Sequence, residues 1–172
     1  MTLSMTPFSV IPFSANHQVQ VIDLILPIQR QEFGIPISAA DQPDLSDIPG
    51  FYQTGSGGFW VARNGDRVVG TIGLKDIGNH QTALRKMFVA SDYRGAAHGT
   101  ARRLLETLLT SAEEKGVHTI WLGTTAQFVG AHRFYEKHGF ECVDESTLPD
   151  TFPRMAVDTR FYRKALANVP AV

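Results

Sequence analysis

Two short stretches of this chain hold residue types and spacings from which chemistry could be built. The first is Asp92-Tyr-Arg-Gly-Ala-Ala-His-Gly-Thr-Ala101, set between an apolar run and a long helical pattern. A small-residue loop that opens a helix offers unpaired backbone N–H groups and the positive end of the helix dipole. Such a loop suits a pyrophosphate, and Arg94 is close enough to add charge; the same composition also serves as a plain tight connection. It is neither familiar nucleotide loop. Gly99 is followed by Thr100-Ala101 rather than Lys-Ser/Thr, and only Gly95 and Gly99 are present where a dinucleotide fingerprint needs three glycines. The second stretch is Ala131-His-Arg-Phe-Tyr-Glu-Lys-His-Gly-Phe140. On its own, Phe134-Tyr135 near a helix end is as readily core packing as chemistry.

The elements that must position these stretches follow from periodicity and punctuation. Thr6 to Phe13 reads as a proline-limited edge strand, and Ser14 or Asn16 can cap a helix carrying Val19, Ile22, Ile25 and Leu26 on one side. Pro27 should kink that helix. From Phe33 to Ser56, Pro, Gly, Ser and Asp predominate, which predicts a mobile loop with a short helix near Ala39 to Leu45. Phe59–Ala62 and Arg67–Leu74 read as strands around Asn64-Gly65, a type I′ hairpin signal. Ala83–Val89 is a further strand. Ala97, Ala101, Leu104, Leu105, Leu108, Leu109 and Ala112 then share a helical face ended by Gly116. Thr119–Leu122 is a buried strand, Phe128 to His138 a helix closed by Gly139, and a strand begins at Phe140. Met155 to Lys164 alternates as the last strand. Hairpins early and strand–helix–strand units late predict an α/β (α+β) domain: a mixed, mostly antiparallel sheet of about seven strands flanked by about four helices.

At 172 residues, with 43% hydrophobic and 19% charged residues, the chain fits a single domain over 1–172, its core at about 6–164. A net charge of -1 provides no basic footprint for nucleic acid. No run approaches the length of a spanning helix and the start lacks a signal-peptide pattern, so neither membrane nor export is expected and the cytoplasm is the default. The single cysteine, Cys142, excludes a disulfide framework and a multi-Cys zinc site, and no metal is expected. Flanked by Phe140 and Val143, it reads as a buried strand residue with nothing nearby in sequence to lower its pKa.

The two chemical stretches taken together, some forty residues apart, resemble the GNAT acetyltransferase superfamily. Leu84-Arg-Lys-Met-Phe-Val89, Tyr93-Arg-Gly-Ala-Ala-His-Gly-Thr-Ala101 and Phe134-Tyr-Glu-Lys-His-Gly-Phe140 carry the likeness, specific over about 67 to 143. The resemblance implies acetyl-CoA as donor. It implies that Arg94, Gly95, Ala96, Ala97, His98, Gly99 and Thr100 form the pyrophosphate loop, with Ala97 where a glycine usually stands. Met87, Phe88 and Val89 would lend main-chain groups to the pantetheine arm, and the Met87 N–H would polarise the thioester carbonyl. Tyr135 would protonate or hydrogen-bond the leaving thiolate, with Ala131 and Phe134 packed beside the pantetheine. Homodimers are common among such proteins.

Two positions depart from the family pattern. Phe128 stands where an asparagine contact to pantetheine is usual, leaving Gln127 as a neighbouring substitute, and Ala83 stands where a glutamate often serves as base. Water, a backbone carbonyl, Asp76 or His80 could take the proton instead, since a well-placed neutral amine does not need a strong base. Gln31 to Ala62 contains no Lys or Arg while Glu32, Asp41, Asp44 and Asp47 are acidic. A locally acidic wall favours a cationic amine acceptor, small molecule or peptide, whereas a solvated acidic loop is the plainer reading. Phe33, Phe51, Tyr52 and Trp60 could line an apolar slot or belong to the core. The same fold without turnover would be an acyl-CoA sensor or interaction module.

Overall fold

A hairpin-rich first half and crossover-linked second half combine into one seven-stranded sheet of order β1-β2-β3-β4-β5-β7-β6. The strands are β1 Phe8–Pro12, β2 Gly58–Asn64, β3 Arg67–Gly78, β4 Gln81–Val89, β5 Thr119–Thr124, β6 Glu141–Val143 and β7 Arg160–Ala165. The helices are α1 Gln18–Pro27, α2 Ile48–Tyr52, α3 Thr100–Glu114 and α4 Val129–Lys137. This computed structural model describes residues 8–95 and 97–166; Thr6 and Ala96 lie outside the described residues. All neighbouring strands are antiparallel except β4 and β5. Among the described residues no helix is long and apolar enough to cross a membrane.

The sheet carries a hydrophobic layer on each face. Leu104, Leu105, Leu108 and Ala112 of α3 pack with Tyr135, Phe140, Leu84, Ile120 and Leu122. Val21 and Ile25 of α1, with Ile48 and Tyr52 of α2, pack against Phe59 and Val61 on the other face. Each fully buried leucine contributes roughly 1.5–3 kcal/mol relative to exposure, so the four-residue apolar stripe of α3 anchors the helix that follows the candidate loop. Gly116 and Gly139 end α3 and α4 at positive φ, as the sequence predicts.

Several details differ from the sequence reading. The chain forms a 3-10 turn at Ala15–His17 before α1, so the buried face is Val21, Ile25 and Ile28, while Val19 is 70% exposed. Ser14 caps that turn rather than α1. At Pro27, which has no N–H to donate, the α-helix gives way to a π-helical turn over Ile28–Glu32. Between 33 and 56 a 3-10 helix at Pro43–Ser46 overlaps the end of the expected short helix, and an α-helix follows at Ile48–Tyr52, where Asp47 accepts the Gly50 N–H at 3.0 Å. Ile35, Ile37, Leu45 and Ile48 are buried, so this stretch is packed against the sheet.

The β2–β3 turn is centred on Gly65-Asp66, because Asn64 pairs with Arg67. Only Gly65 there has positive φ, so it is not type I′. Asn79 and His80, between β3 and β4, both have positive φ and supply that geometry instead. The last strand begins at Arg160, because Asp158 closes a turn by accepting the Met155 N–H at 2.9 Å. Cys142 is exposed, since β6 is a three-residue edge strand.

Candidate functional site

The sheet opens where its one parallel pair comes apart. β4 and β5 are in register only from Gln81↔Thr119 to Ala83↔Trp121, so the rest of β4, from Leu84 to Val89, borders a gap. Within that stretch Lys86 has φ 56° and, with Met87, no register partner on β3, which passes from Gly73↔Arg85 to Thr71↔Phe88. This is a β-bulge. Thr71 Oγ1 donates to the Lys86 carbonyl at 2.7 Å, drawing it toward β3. In a trans peptide the C=O and the following N–H point in opposite directions. The Met87 N–H is therefore turned away from β3, into the gap. The bulge also interrupts alternation: Leu84 and Met87 pack on the α3 side, whereas the side chains of Arg85, Lys86 and Phe88 go to the α1–α2 side.

The loop after β4 leads into the N-terminus of α3 along one edge of this gap. Gly95 and Gly99 take φ values of 101° and 69°, and the Gly95 carbonyl accepts the His98 and Gly99 N–H groups at 3.1 and 3.3 Å. That leaves the first N–H groups of α3 without intrahelical partners. Thr100 begins the helix, 1% exposed, with a buried Oγ1 that no atom of the described residues satisfies. Ala97 and His98 are exposed, and His98 lies 5.7 Å from the Tyr93 ring. Arg94 is committed elsewhere. Its Nε donates to the Val89 carbonyl at 2.8 Å, its guanidinium makes a two-point ion pair with Glu32, and it lies over the Phe33 ring.

α4, which follows β5, carries Tyr135. The helix ends in a Schellman arrangement: Gly139 N–H bonds to Glu136 O at 3.3 Å and Phe140 N–H to Tyr135 O at 3.0 Å. This ending requires positive φ at Gly139, found at 89°, and sets the Phe140 ring 5.6 Å from that of Tyr135. Tyr135 is 5% exposed, and burial, helped by nearby Tyr162, pushes its hydroxyl well above the ordinary tyrosine value. It is a phenol that stays protonated. Ala131 and Phe134 pack partly buried against the same core. Phe128 caps α4 and stacks edge-on against Phe33 and Phe88, with centroids 4.8 and 5.9 Å away. Gln127 is exposed.

The other face of the gap holds a group of buried charges. Asp44 Oδ2 accepts the Tyr52 hydroxyl at 2.5 Å and faces Lys86 Nζ at 3.3 Å and Arg85 at 3.8 Å. Arg85 also donates to Tyr52 Oη at 3.1 Å and to the Pro153 carbonyl at 2.6 Å. Burial raises the Asp44 carboxyl, but Lys86, Tyr52 and Arg85 outweigh it and hold the group below its ordinary value. Burial and the neighbouring Arg85 push Lys86 down to about 8. Sequence reasoning passed over this cluster, although a doublet of cations inside an apolar strand was a signal, because buried charges must be paired.

Other sequence candidates lie apart from the gap. Asp76 accepts the Ser56 and Gly78 N–H groups, which hold it below its ordinary value. His80 sits in the β3–β4 turn, six residues before the bulge, or about 20 Å of extended strand. The premise for a cationic acceptor also changes. Glu32 is paired with Arg94, Asp41 with the Ser38 N–H and hydroxyl, Asp44 with Lys86, and Asp47 caps α2. Tyr52 and Trp60 are core residues on opposite faces of the sheet, and Phe51 packs beside Tyr52.

The model of the acetyltransferase (GNAT) family matches residues 22–140. N-acetyltransferase 8B of Rattus norvegicus is 34% identical over 111 residues, 61% of this chain and 49% of that protein. N-acetylaspartate synthetase of Xenopus tropicalis is 38% identical over 111 residues, 62% of this chain and 40% of that protein. The chain thus spans about half or less of the curated relatives it matches. A crystal structure of an acetyltransferase of the GNAT family from Staphylococcus aureus Mu50 superimposes with a TM-score of 0.90 at 37% identity, covering 94% of this chain and 100% of that one.

Proposed function

The chain belongs to the acetyltransferase (GNAT) family, and on that premise we propose that it transfers an acetyl group from acetyl-CoA to a primary amine by direct attack in a ternary complex. The observation that supports this reading is the bulge at Lys86, which turns the Met87 N–H away from β3, toward the gap that β4 borders. These residues fit a CoA thioester. The opening leaves β4 main-chain groups available to an extended arm, the free N–H groups and unsatisfied Thr100 hydroxyl suit phosphate oxygens, and Ala131 and Phe134 offer an apolar wall. The thioester, when bound, supplies an activated acyl group and a thiol leaving group.

This chain's residues do the rest. The Met87 N–H donates to the carbonyl oxygen as that oxygen gains negative charge, and a backbone donor held by a bulge needs no reorganisation to do so. Tyr135, kept protonated by burial, gives its proton to the departing sulfur. Gly95 to Thr100 hold the pyrophosphate end, with Ala96 and Ala97 in the loop and Arg94 steadying it through Val89 and Glu32.

The acceptor enters from the α1–α2 side, where two buried cations, Arg85 and Lys86, share the single carboxylate of Asp44. This supports an amine that also carries a carboxylate, an amino acid above all. N-acetylaspartate synthetase is named for the acetylated form of one such molecule.

The test is thermal stability and free-thiol release, followed together with acetyl-CoA and L-aspartate, L-glutamate, spermidine or a lysine peptide. Donor at 100 times its Kd should add about 2.7 kcal/mol, and release should depend on the amine. Stabilisation without release for any amine would favour an acyl-CoA sensor; no stabilisation would end the proposal.

A further inference from the structure

We propose that Asp158 is the general base of the acyl transfer, filling the role that Ala83 leaves open on β4. The inference rests on the acyl-transfer reading above. It concerns which group removes the proton from the attacking amine.

Asp158 lies in the turn before β7, 6% exposed, and its Oδ2 accepts the Met155 N–H at 2.9 Å. Its carboxylate is pressed against β5 at Gly123. A Cβ on that residue would come within 2.8 Å of Oδ2, so only glycine lets the carboxylate lie there. Gly123 is two residues beyond Trp121, the last β5 residue in register with β4, and so stands on the rim of the opening. Trp121 packs with Ala83, Phe152 and Phe161. Strand alternation sends the position occupied by Gly123 to that same side, the side of Arg85. Extended past Ala83, the parallel register would set Gly123 level with Arg85 and Thr124 level with Lys86, where the bulge begins. The carboxylate and the Met87 N–H thus belong to opposite rims of one opening. Tyr135 packs on the α3–α4 face, so the acid and the base are separated by the sheet.

The carboxylate is suited to the task. Oδ1 takes no hydrogen bond from the described residues, which leaves one oxygen for a substrate proton. Burial raises the group above the ordinary aspartate value, against the pull of the Met155 N–H, Arg85, Lys86 and Arg154. Those cations, with Asp44 and Tyr52 behind them, are the charged and titratable groups that face it. A raised carboxylate is a better proton acceptor, and the flanking cations favour its ionised form.

The atoms balance without a further reactant. The amine nitrogen bonds to the acyl carbon as the carbon–sulfur bond breaks. One amine proton passes to Asp158 Oδ1, and the Tyr135 hydroxyl proton passes to sulfur. Exchange with solvent then restores the carboxylate and the phenol.

The experiment compares wild type with Asp158→Asn and Asp158→Glu, using whichever amine of the panel above gives the fastest thiol release. Asp158→Asn should lose about 10²–10⁴-fold in kcat and lose the acidic limb of the pH profile. It should keep its acetyl-CoA-induced stabilisation, and Asp158→Glu should recover part of the rate. In carboxyl-labelled protein without donor, the resonance missing from Asp158→Asn should titrate above the ordinary aspartate range. A wild-type rate and acidic limb in Asp158→Asn would overturn the assignment while leaving the transferase reading standing. Loss of donor-induced stabilisation in both variants would make Asp158 structural and would also overturn it. No amine-dependent release from wild type with any amine would remove the transferase reading and this inference together.

Discussion

Thr71 Oγ1 donates to the Lys86 carbonyl at 2.7 Å, and this bond between neighbouring strands sets the direction of the Met87 N–H. Lys86 holds φ 56°, a conformation that costs a non-glycine residue about 1–2 kcal/mol. The buried hydroxyl of Thr71, 0% exposed, helps to offset that cost.

Thr71→Val keeps the shape and removes the donor. It should destabilise the protein by about 1–3 kcal/mol, because a buried carbonyl is left unsatisfied. Turnover should fall by up to ~10²-fold as the Met87 N–H loses its aim. Denaturant unfolding and kcat with acetyl-CoA check both effects. An unchanged kcat would detach the bulge from catalysis.

Tyr135→Phe should leave folding nearly intact, since among the described residues the hydroxyl makes no hydrogen bond. The rate should drop by about 10²–10⁴-fold while donor binding holds. Because burial raises the hydroxyl well above its ordinary value, wild-type kcat should show no loss from Tyr135 ionisation between pH 7 and 9. Single-turnover thiol release across that range is the measurement.

Lys86 gives a stability signature of definite sign. Its folded value of about 8 lies below the ordinary lysine value of 10.5, so between those values the unfolded chain binds more protons than the folded one. Stability should therefore rise with pH across that window and be least favoured by this group below pH 8. Asp44, held low, does not titrate there, and Tyr52, raised well above its ordinary value by burial, opposes the rise only as pH nears the ordinary tyrosine value, where the unfolded chain begins to lose that proton. Urea midpoints from pH 7.5 to 10 should show the rise in wild type and a flatter line in Lys86→Met.

The Glu32–Arg94 pair joins the π-helical turn to the candidate cofactor loop at side-chain exposures of 37% and 34%. At that exposure it contributes less than about 1 kcal/mol, so Glu32→Gln should barely move the melting temperature. Freed from its partner, the loop should hold donor several-fold less tightly, which calorimetry of acetyl-CoA binding would detect. Equal affinity would show that Arg94 is positioned by Val89 alone.

Much of this arrangement is legible in the residues themselves. The α3 stripe, the glycines that end α3 and α4, and the small-residue loop follow from local periodicity and backbone sterics, which depend on neighbours a few positions apart. The motif Phe134-Tyr-Glu-Lys-His-Gly-Phe140 likewise contains its own Schellman ending, and with it the seat of Tyr135. The buried face of α1 departs from the sequence expectation because a 3-10 turn shifts its start, and the β2–β3 turn does so because register, not the Asn-Gly pair, sets its centre.

The proposed acceptor face was decided by tertiary structure. Asp44, Lys86, Gly123 and Asp158 are distant in sequence, and no spacing relates them. They meet because β4 and β5 separate after Ala83, because a bulge held by Thr71 turns two successive cations to one face, and because Gly123 leaves room for a carboxylate. Short-range pattern determined the elements and the candidate donor loop. Strand register and desolvation, which arise only once the sheet is assembled, determined which charges were buried together and which backbone donor faced the opening.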